Sequence, residues 1–440
     1  MPLDSITPVI DAMRHSRLLR RVAGTAWLLL GRISRSPVTR GRMLSRAMAF
    51  AEKRSLETAV RSTLRTDPSL ESPEVWNQIV RRLPRYLEMI PSQPALTRSL
   101  MLKAPGAGGE KGVLVITFEY NWARLLVGLG ADGLDWLDSQ YHLILSASWS
   151  PTDYAALALA AARMRGTIFV QSCNHLEVDR IERFHPRLKC VPTLPCDWIN
   201  PVLYVPKPYR DRNIDILMVA NWGEFKRHWE LFRALAVMPP TLKVMLIGQQ
   251  EGGRKRHHIR EMARQLGVRQ HLEIKESIPI EEVAAHQCDA RVSAIMSRRE
   301  GCCVAAVESL FAGCALGMRE DAHVGPLAYI NEHTGMRLRK GSIATDLMEL
   351  LARAEHLDPR TWAVRNISCQ ISHRRLNEFL KEHSLAEGRA WTSDIILPQW
   401  HPHPTFARKE DQDMLAPAYH LLHERFPSVF SNTLLFESWR

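Results

Sequence analysis

The sequence predicts an α/β protein with two doubly wound domains facing a cleft and a helical N-terminal extension. Three observations carry this. From residue 112 onward, short apolar runs rich in β-branched residues alternate with helical patterns, the pattern of parallel strands buried on both faces. The alternation stops across residues 191–212, which hold five prolines and little periodicity, and then resumes. Before residue 104 the pattern is helical, broken by prolines at 68, 73, 84, 91 and 94, with no strand alternation.

The elements follow in order. Residues 1–103 form a basic helical extension, closed by the Gly-rich stretch 104–112 (APGAGGEKG). Those glycines precede a strand rather than follow one, so they are not a phosphate loop. Strands are predicted at 113–118, 142–147 and 167–171, with an Ala-rich helix at 153–165; they make a first domain over 112–195. A second domain, 210–385, has strands at 214–220, 242–248, 272–275, 290–295 and 314–317. Helices at 225–237, 255–266, 281–287 and 304–312 lie between them. Residues 390–440 form a C-terminal extension, with a helix over 411–426 and an exposed turn at HPHP, 401–404. In open parallel sheets, ligands bind at the carboxyl ends of the strands, which is where the chemistry is sought.

Composition narrows the classes. A chain of 440 residues, 45% hydrophobic and 24% charged, is globular rather than disordered. The net charge of +11 favours anionic partners such as nucleotides, phospholipid surfaces or nucleic acid. Scattered arginines without an aromatic-basic RNA motif argue against nucleic acid. None of the eight cysteines forms a CxxC pair or a zinc-type cluster, so no metal site is expected and a reduced, cytoplasmic setting fits best. Residues 22–31 are apolar but too short to span a bilayer. With Arg14, Arg17, Arg20, Arg21, Arg32 and Arg35 around them, they read as a basic surface helix, as an interfacial helix on anionic lipid, which would make the protein peripheral on the inner face of the membrane, or as part of an Arg-rich, nearly acid-free targeting peptide.

Two segments carry chemistry. Ser297-Arg298-Arg299-Glu300-Gly301 follows a predicted strand and opens the helix that contains Glu308. Backbone N–H groups at such a helix start suit a diphosphate, and Gly301 allows close backbone approach. Eight residues of helix put Glu300 and Glu308 about 12 Å apart, which resembles the span from a hexose across a diphosphate to a ribose. The structural alternative is that Glu300 caps the helix and Glu308 faces solvent. The second segment, Asn221-Trp222-Gly223-Glu224-Phe225-Lys226-Arg227, also follows a strand and opens a helix. Lys226 and Arg227 in a first helical turn oppose the helix dipole, which makes sense if an anion binds nearby. Weaker candidates are His175, after the strand at 167–171, and Tyr120, Trp122 and Trp149 near strand ends.

On these residues, 213 to about 385 resemble the C-terminal Rossmann-like domain of GT-B-fold, family-four-type retaining glycosyltransferases (glycosyl transferases group 1). The family's Glu, seven residues, Glu motif matches Glu300 and Glu308, with Ser297 before it. LKVMLIG (242–248), VESLFAG (307–313) and HVGPLAYINEHTG (323–335) extend the likeness. The resemblance implies a nucleotide-sugar donor on this domain and a glycan, glycolipid or protein acceptor on the first, as in polysaccharide biosynthesis. It implies that Glu300 and Lys226 are catalytic, Glu300 at the donor sugar and Lys226 at the departing diphosphate. Glu308 would hold the ribose, with Arg227, Asn221, Ser297, Gly301 and His175 as further donor contacts. It also implies retention, no metal and no cofactor beyond the donor.

Two departures stand out. The family's Arg about five residues before its Lys is Asn221 here, leaving Arg227 or Arg298 to supply the charge. Its Gly-Gly loop after the first strand is replaced by Glu119-Tyr120-Asn121-Trp122. They support a second reading, a non-catalytic nucleotide-sugar-binding homologue.

Overall fold

The computed structural model describes residues 7–86, 99–400 and 404–430. The chain divides into two compact units, one built on Cys196–Ser372 and the other on Asp11–Pro195 with His373–Pro398 and the segment beyond residue 403.

The N-terminal helices are α1 (Thr7–Arg14), α2 (Arg17–Ile33), α3 (Pro37–Ala49), α4 (Arg54–Arg65) and α5 (Pro73–Arg81). There follow β1 (Ser99–Lys103), β2 (Gly112–Thr117), α6 (Glu119–Gly128), α7 (Ala131–Gln140), β3 (Tyr141–Ser146), α8 (Tyr154–Arg163), β4 (Ile168–Gln171), α9 (Val178–Phe184) and β5 (Leu188–Cys190). The sheet runs β1-β2-β3-β4-β5 in chain order, parallel except for β1. Strand β1 corrects the all-helical expectation for residues 1–103. Its Lys103 is buried in an ion pair with Glu110, whose carboxylate also accepts from the Thr392 N–H and hydroxyl. The N-terminal helices are no loose appendage, since α3 and α5 pack on α8. That explains why α8, YAALALAAAR, is buried from Tyr154 to Ala161: small side chains let helices approach from outside. Asp153 caps it, accepting from the Ala155 and Ala156 N–H groups at 2.9 and 3.4 Å.

The other unit contains β6 (Ile214–Val219), α10 (His228–Leu235), β7 (Lys243–Gly248), α11 (Arg256–Gln265), β8 (His271–Glu276), α12 (Ile280–Cys288), β9 (Ala290–Ile295), α13 (Val304–Phe311), β10 (Ala315–Arg319), β11 (Gly335–Leu338), α14 (Ile343–Arg353) and α15 (Pro359–Ile367). Helix α16 (Cys369–Ala386) carries the chain out, and β12 (Pro398–Trp400), β13 (Pro404–Phe406) and α17 (Lys409–Arg425) follow. The histidines of HPHP lie outside the described residues. All strands of this second sheet are parallel, in the order β11-β10-β9-β6-β7-β8. Numbered within the unit, that is 6-5-4-1-2-3. It is the doubly wound Rossmann order, with its switch point between β6 and β9, where dinucleotide-type ligands bind at the strands' carboxyl ends.

Close approach at that end depends on Gly248. A Cβ there would lie 2.2 Å from the Ala220 carbonyl oxygen and 2.7 Å from the buried Trp222 ring. Gly248→Ala should destabilise the protein by about 1–3 kcal/mol, read as a lowered denaturation midpoint; an unchanged midpoint would show that the loop after β6 gives way freely.

Candidate nucleotide-sugar site

At the carboxyl ends of β6, β7 and β8 lies a cavity of about 480 Å³, within the range of small-molecule sites. Val219, Ala220 and Asn221 line it at the end of β6, Gly248 and Gln249 at the end of β7, and Ser277 and Ile278 after β8. Lys226, Ala305 and Glu308 line it as well. The fold thus brings Asn221, Lys226 and Glu308 into one hollow.

The segment after β6 folds differently from expectation. Lys226 ends a single 3-10 turn, Glu224–Lys226, and Arg227 is a left-handed link at φ 57°. Helix α10 begins only at His228. Neither cation therefore sits in a helical first turn, because a left-handed residue cannot continue a right-handed helix. The Lys226 ammonium instead makes an ion pair with the Glu300 carboxylate, both side chains nearly buried. Burial works to lower the Lys226 pKa, but the Glu300 charge prevails and raises it, so the ammonium is firmly held.

Glu300 belongs to the loop between β9 and α13 and is 3% exposed. Its Oε2 accepts from Lys226, while Oε1 is buried with no hydrogen-bond partner among the described residues, as is Ser297 Oγ on the same loop. Neither residue is among those lining the cavity, and the Cys303 thiol also hydrogen-bonds the Glu300 carboxylate. The left-handed residue of this loop is Cys303, φ 46°, rather than Gly301, which is buried without a positive φ. Cys303 makes no side-chain cap on α13. The capping role considered for Glu300 is therefore absent, and the start of α13 opens on the cavity at Ala305. Uncapped N–H groups at a helix start attract anions.

Glu308 lies on α13 and is 7% exposed, so it does not face solvent. Gln287 Nε2 donates to it at 3.4 Å, and burial raises its pKa against the opposing effect of Gln287 and Tyr204. Neither supporting residue stood out in the sequence: Tyr204 sits in the Pro-rich connection, and Gln287 ends a helix of ordinary composition.

Arg227 is turned away from the cavity lining. Its guanidinium pairs with Glu230 at 2.9 Å; Glu230 pairs in turn with Arg319, and Arg319 with Asp321 at 2.8 Å. Arg298 joins at Asp321, also at 2.8 Å. This buried chain of charges, invisible to motif reading, ties the loop carrying Lys226 to the loop carrying Glu300. His175 is exposed in the other unit, in a 3-10 turn. Trp122 is wholly buried, its Nε1 donating to the Ile116 carbonyl at 2.8 Å, so it is a core residue rather than a sugar platform. Glu119, at the place of the missing glycine loop, accepts from the Ser148 and Trp149 N–H groups at 3.2–3.3 Å.

His228 packs edge-on against Trp222 at 5.4 Å. Burial, then the Lys226 and Arg254 charges, push its pKa down to about 3. A folded pKa below the unfolded value of about 6.5 means that its contribution is intact above pH 6.5 and lost as the pH falls toward 3. The loss runs at up to about 1.4 kcal/mol per pH unit. His228→Phe should therefore flatten part of the fall in thermal midpoint between pH 6.5 and 4; an unchanged slope would place the acid sensitivity elsewhere.

The second unit thus combines the Rossmann strand order, an uncapped start of α13 and the Lys226–Glu300 ion pair. Residues 206–335, under a third of the chain, match the family described as Glycosyl transferases group 1. The comparison with curated proteins found no match. Among solved structures, sucrose-phosphate synthase from Thermosynechococcus elongatus is similar at TM-score 0.49 and 15% identity, over 62% of this chain and 74% of that one. Anabaena Alr3699/HepE, solved with UDP and glucose, is similar at TM-score 0.47 and 13% identity, over 61% and 78%. These likenesses are too distant to bear on activity.

Proposed function

We propose that the protein transfers a sugar, of hexosyl type and with retention, from a nucleoside-diphosphate donor to a glycan, glycolipid or protein acceptor. The observation that carries the reading is the Lys226–Glu300 pair at the carboxyl-terminal switch point of the sheet. Glu308 holds the ribose hydroxyls, to which a carboxylate is a strong acceptor. The start of α13 takes the diphosphate, Lys226 offsets the charge that grows on it as the glycosidic bond breaks, and Glu300 orients the sugar through its hydroxyls. Fixed cations and helix N–H groups supply the electrostatics in this scheme, so neither a metal nor a cofactor is required. The setting is cytoplasmic, consistent with eight free cysteines.

The test is release of nucleoside diphosphate from a panel of UDP-, GDP- and ADP-sugars, with and without EDTA. One donor should be hydrolysed slowly without acceptor, insensitive to the chelator, and more slowly still by Glu300→Gln. A donor that stabilises the protein but is never cleaved would favour the binding-only reading, to which Glu119 in place of a glycine loop lends weight. No stabilisation by any donor would overturn both.

A further inference from the structure

Helix α2 is apolar on the wrong side as well as the right one. Its buried residues are Arg20, Gly24, Leu28 and Gly31, spaced for one face of a helix. The two glycines seat this face closely: a Cβ on Gly24 would come within 2.8 Å of Leu56, and one on Gly31 within 3.0 Å of Leu44. Arg20 pins the same side, bonded to Glu52 and, at 2.9 Å, to the Ala49 carbonyl. The helix therefore cannot roll. Its opposite face presents Leu18, Leu19, Val22, Leu29, Leu30 and Ile33 to solvent, with Ile33 75% and Leu18 67% exposed. Soluble proteins scatter such residues singly; a contiguous stripe marks an interaction surface.

We propose that this face docks on an anionic lipid bilayer, α2 lying in the plane of the interface with the outer stripe in the acyl–headgroup boundary. Charge complementarity selects the occupant. Arg14, Arg17, Arg32 and Arg35 are exposed at the two ends of α2, and no acidic residue occurs between Asp11 and Glu52. Arginine forks suit lipid phosphates, and basic residues next to an interfacial apolar face add electrostatic attraction to anionic headgroups. Among the described residues no helix is long and apolar enough to cross a membrane, so the docking is peripheral. The inference stands apart from the sugar-transfer reading, because it uses no residue of the cavity.

The experiment is flotation of the full chain with phosphatidylglycerol/phosphatidylcholine vesicles and with phosphatidylcholine alone, at low and high salt. Expected is binding to the anionic vesicles that weakens with salt, and at least a tenfold lower bound fraction for Val22→Glu/Leu29→Glu. Both positions are exposed, so thermal midpoint and nucleotide-sugar stabilisation should match the unaltered chain, separating failure of docking from failure of the enzyme reading. Absence of flotation, or flotation equal in the variant, overturns the proposal. So does a dimer in sedimentation that the variant abolishes, which would give the stripe to a second copy.

Discussion

Glu300→Gln should lower turnover by about 100- to 1000-fold, the loss typical of removing one preorganised group at a reacting centre, while nucleoside-diphosphate affinity changes little. Glutamine keeps the shape but removes the charge that holds Lys226. Glu308→Ala should do the reverse. A buried carboxylate on the nucleotide side contributes to binding in ground and transition states alike, so its loss should weaken nucleotide affinity about tenfold, equivalent to about 1.4 kcal/mol, with turnover at saturation less affected. Calorimetric titration of the nucleotide and initial rates of donor cleavage separate the two effects. Equal turnover in Glu300→Gln and the unaltered enzyme would remove the ion pair from the mechanism.

Arg319→Met should be strongly destabilising. Arg319 is 1% exposed and bonds Glu230 and Asp321, so a neutral side chain leaves each of these partly buried carboxylates with a single cation, Arg227 or Arg298. Breaking a buried pair from one side costs about 3–5 kcal/mol, readable in denaturant unfolding. Arg319→Lys should recover only part of this, because an ammonium lacks the fork that reaches both carboxylates at once. Since the network joins the loops bearing Lys226 and Glu300, residual folded Arg319→Met should also show reduced donor cleavage. A loss below 1 kcal/mol would mean that solvent already screens these charges.

The sheet around the cavity was legible because its strands are buried on both faces and read as unbroken apolar runs. ARVSAI at 290–295 appears with the bounds expected, and KVMLIG within one residue. Strand β1 was not legible. SLMLK ends in a lysine and follows a proline-broken helical region, and that lysine is acceptable in the interior because Glu110, the Ser393 carbonyl and the Trp391 ring, all outside the strand, surround its ammonium. The apolar run predicts an end to β10 at Gly317, and the two further residues of the strand include Arg319, so the pattern gives no sign of the ion network. Spacing located Glu300, Glu308 and Lys226 but could not show that residues 74 apart in sequence are ion-paired. Nor could it show that the left-handed backbone at Arg227 turns that cation toward Glu230. Pairings of this kind are fixed by sheet topology rather than by local pattern.

The unit built on Asp11–Pro195 also takes in His373–Pro398 and helix α17. Phe379 meets the ring of Phe169 at 5.7 Å, Ser384 meets His142 at 2.9 Å, and the Tyr419 hydroxyl accepts the Met101 N–H. On the ribosome these partners emerge after the whole intervening domain has been made. At about 5–20 residues per second, the nascent first half waits on the order of ten to forty seconds with apolar surface uncovered. The domain between them can complete its own sheet first, so the half translated earlier is the one that finishes folding last, and the interval is a natural point for chaperone engagement.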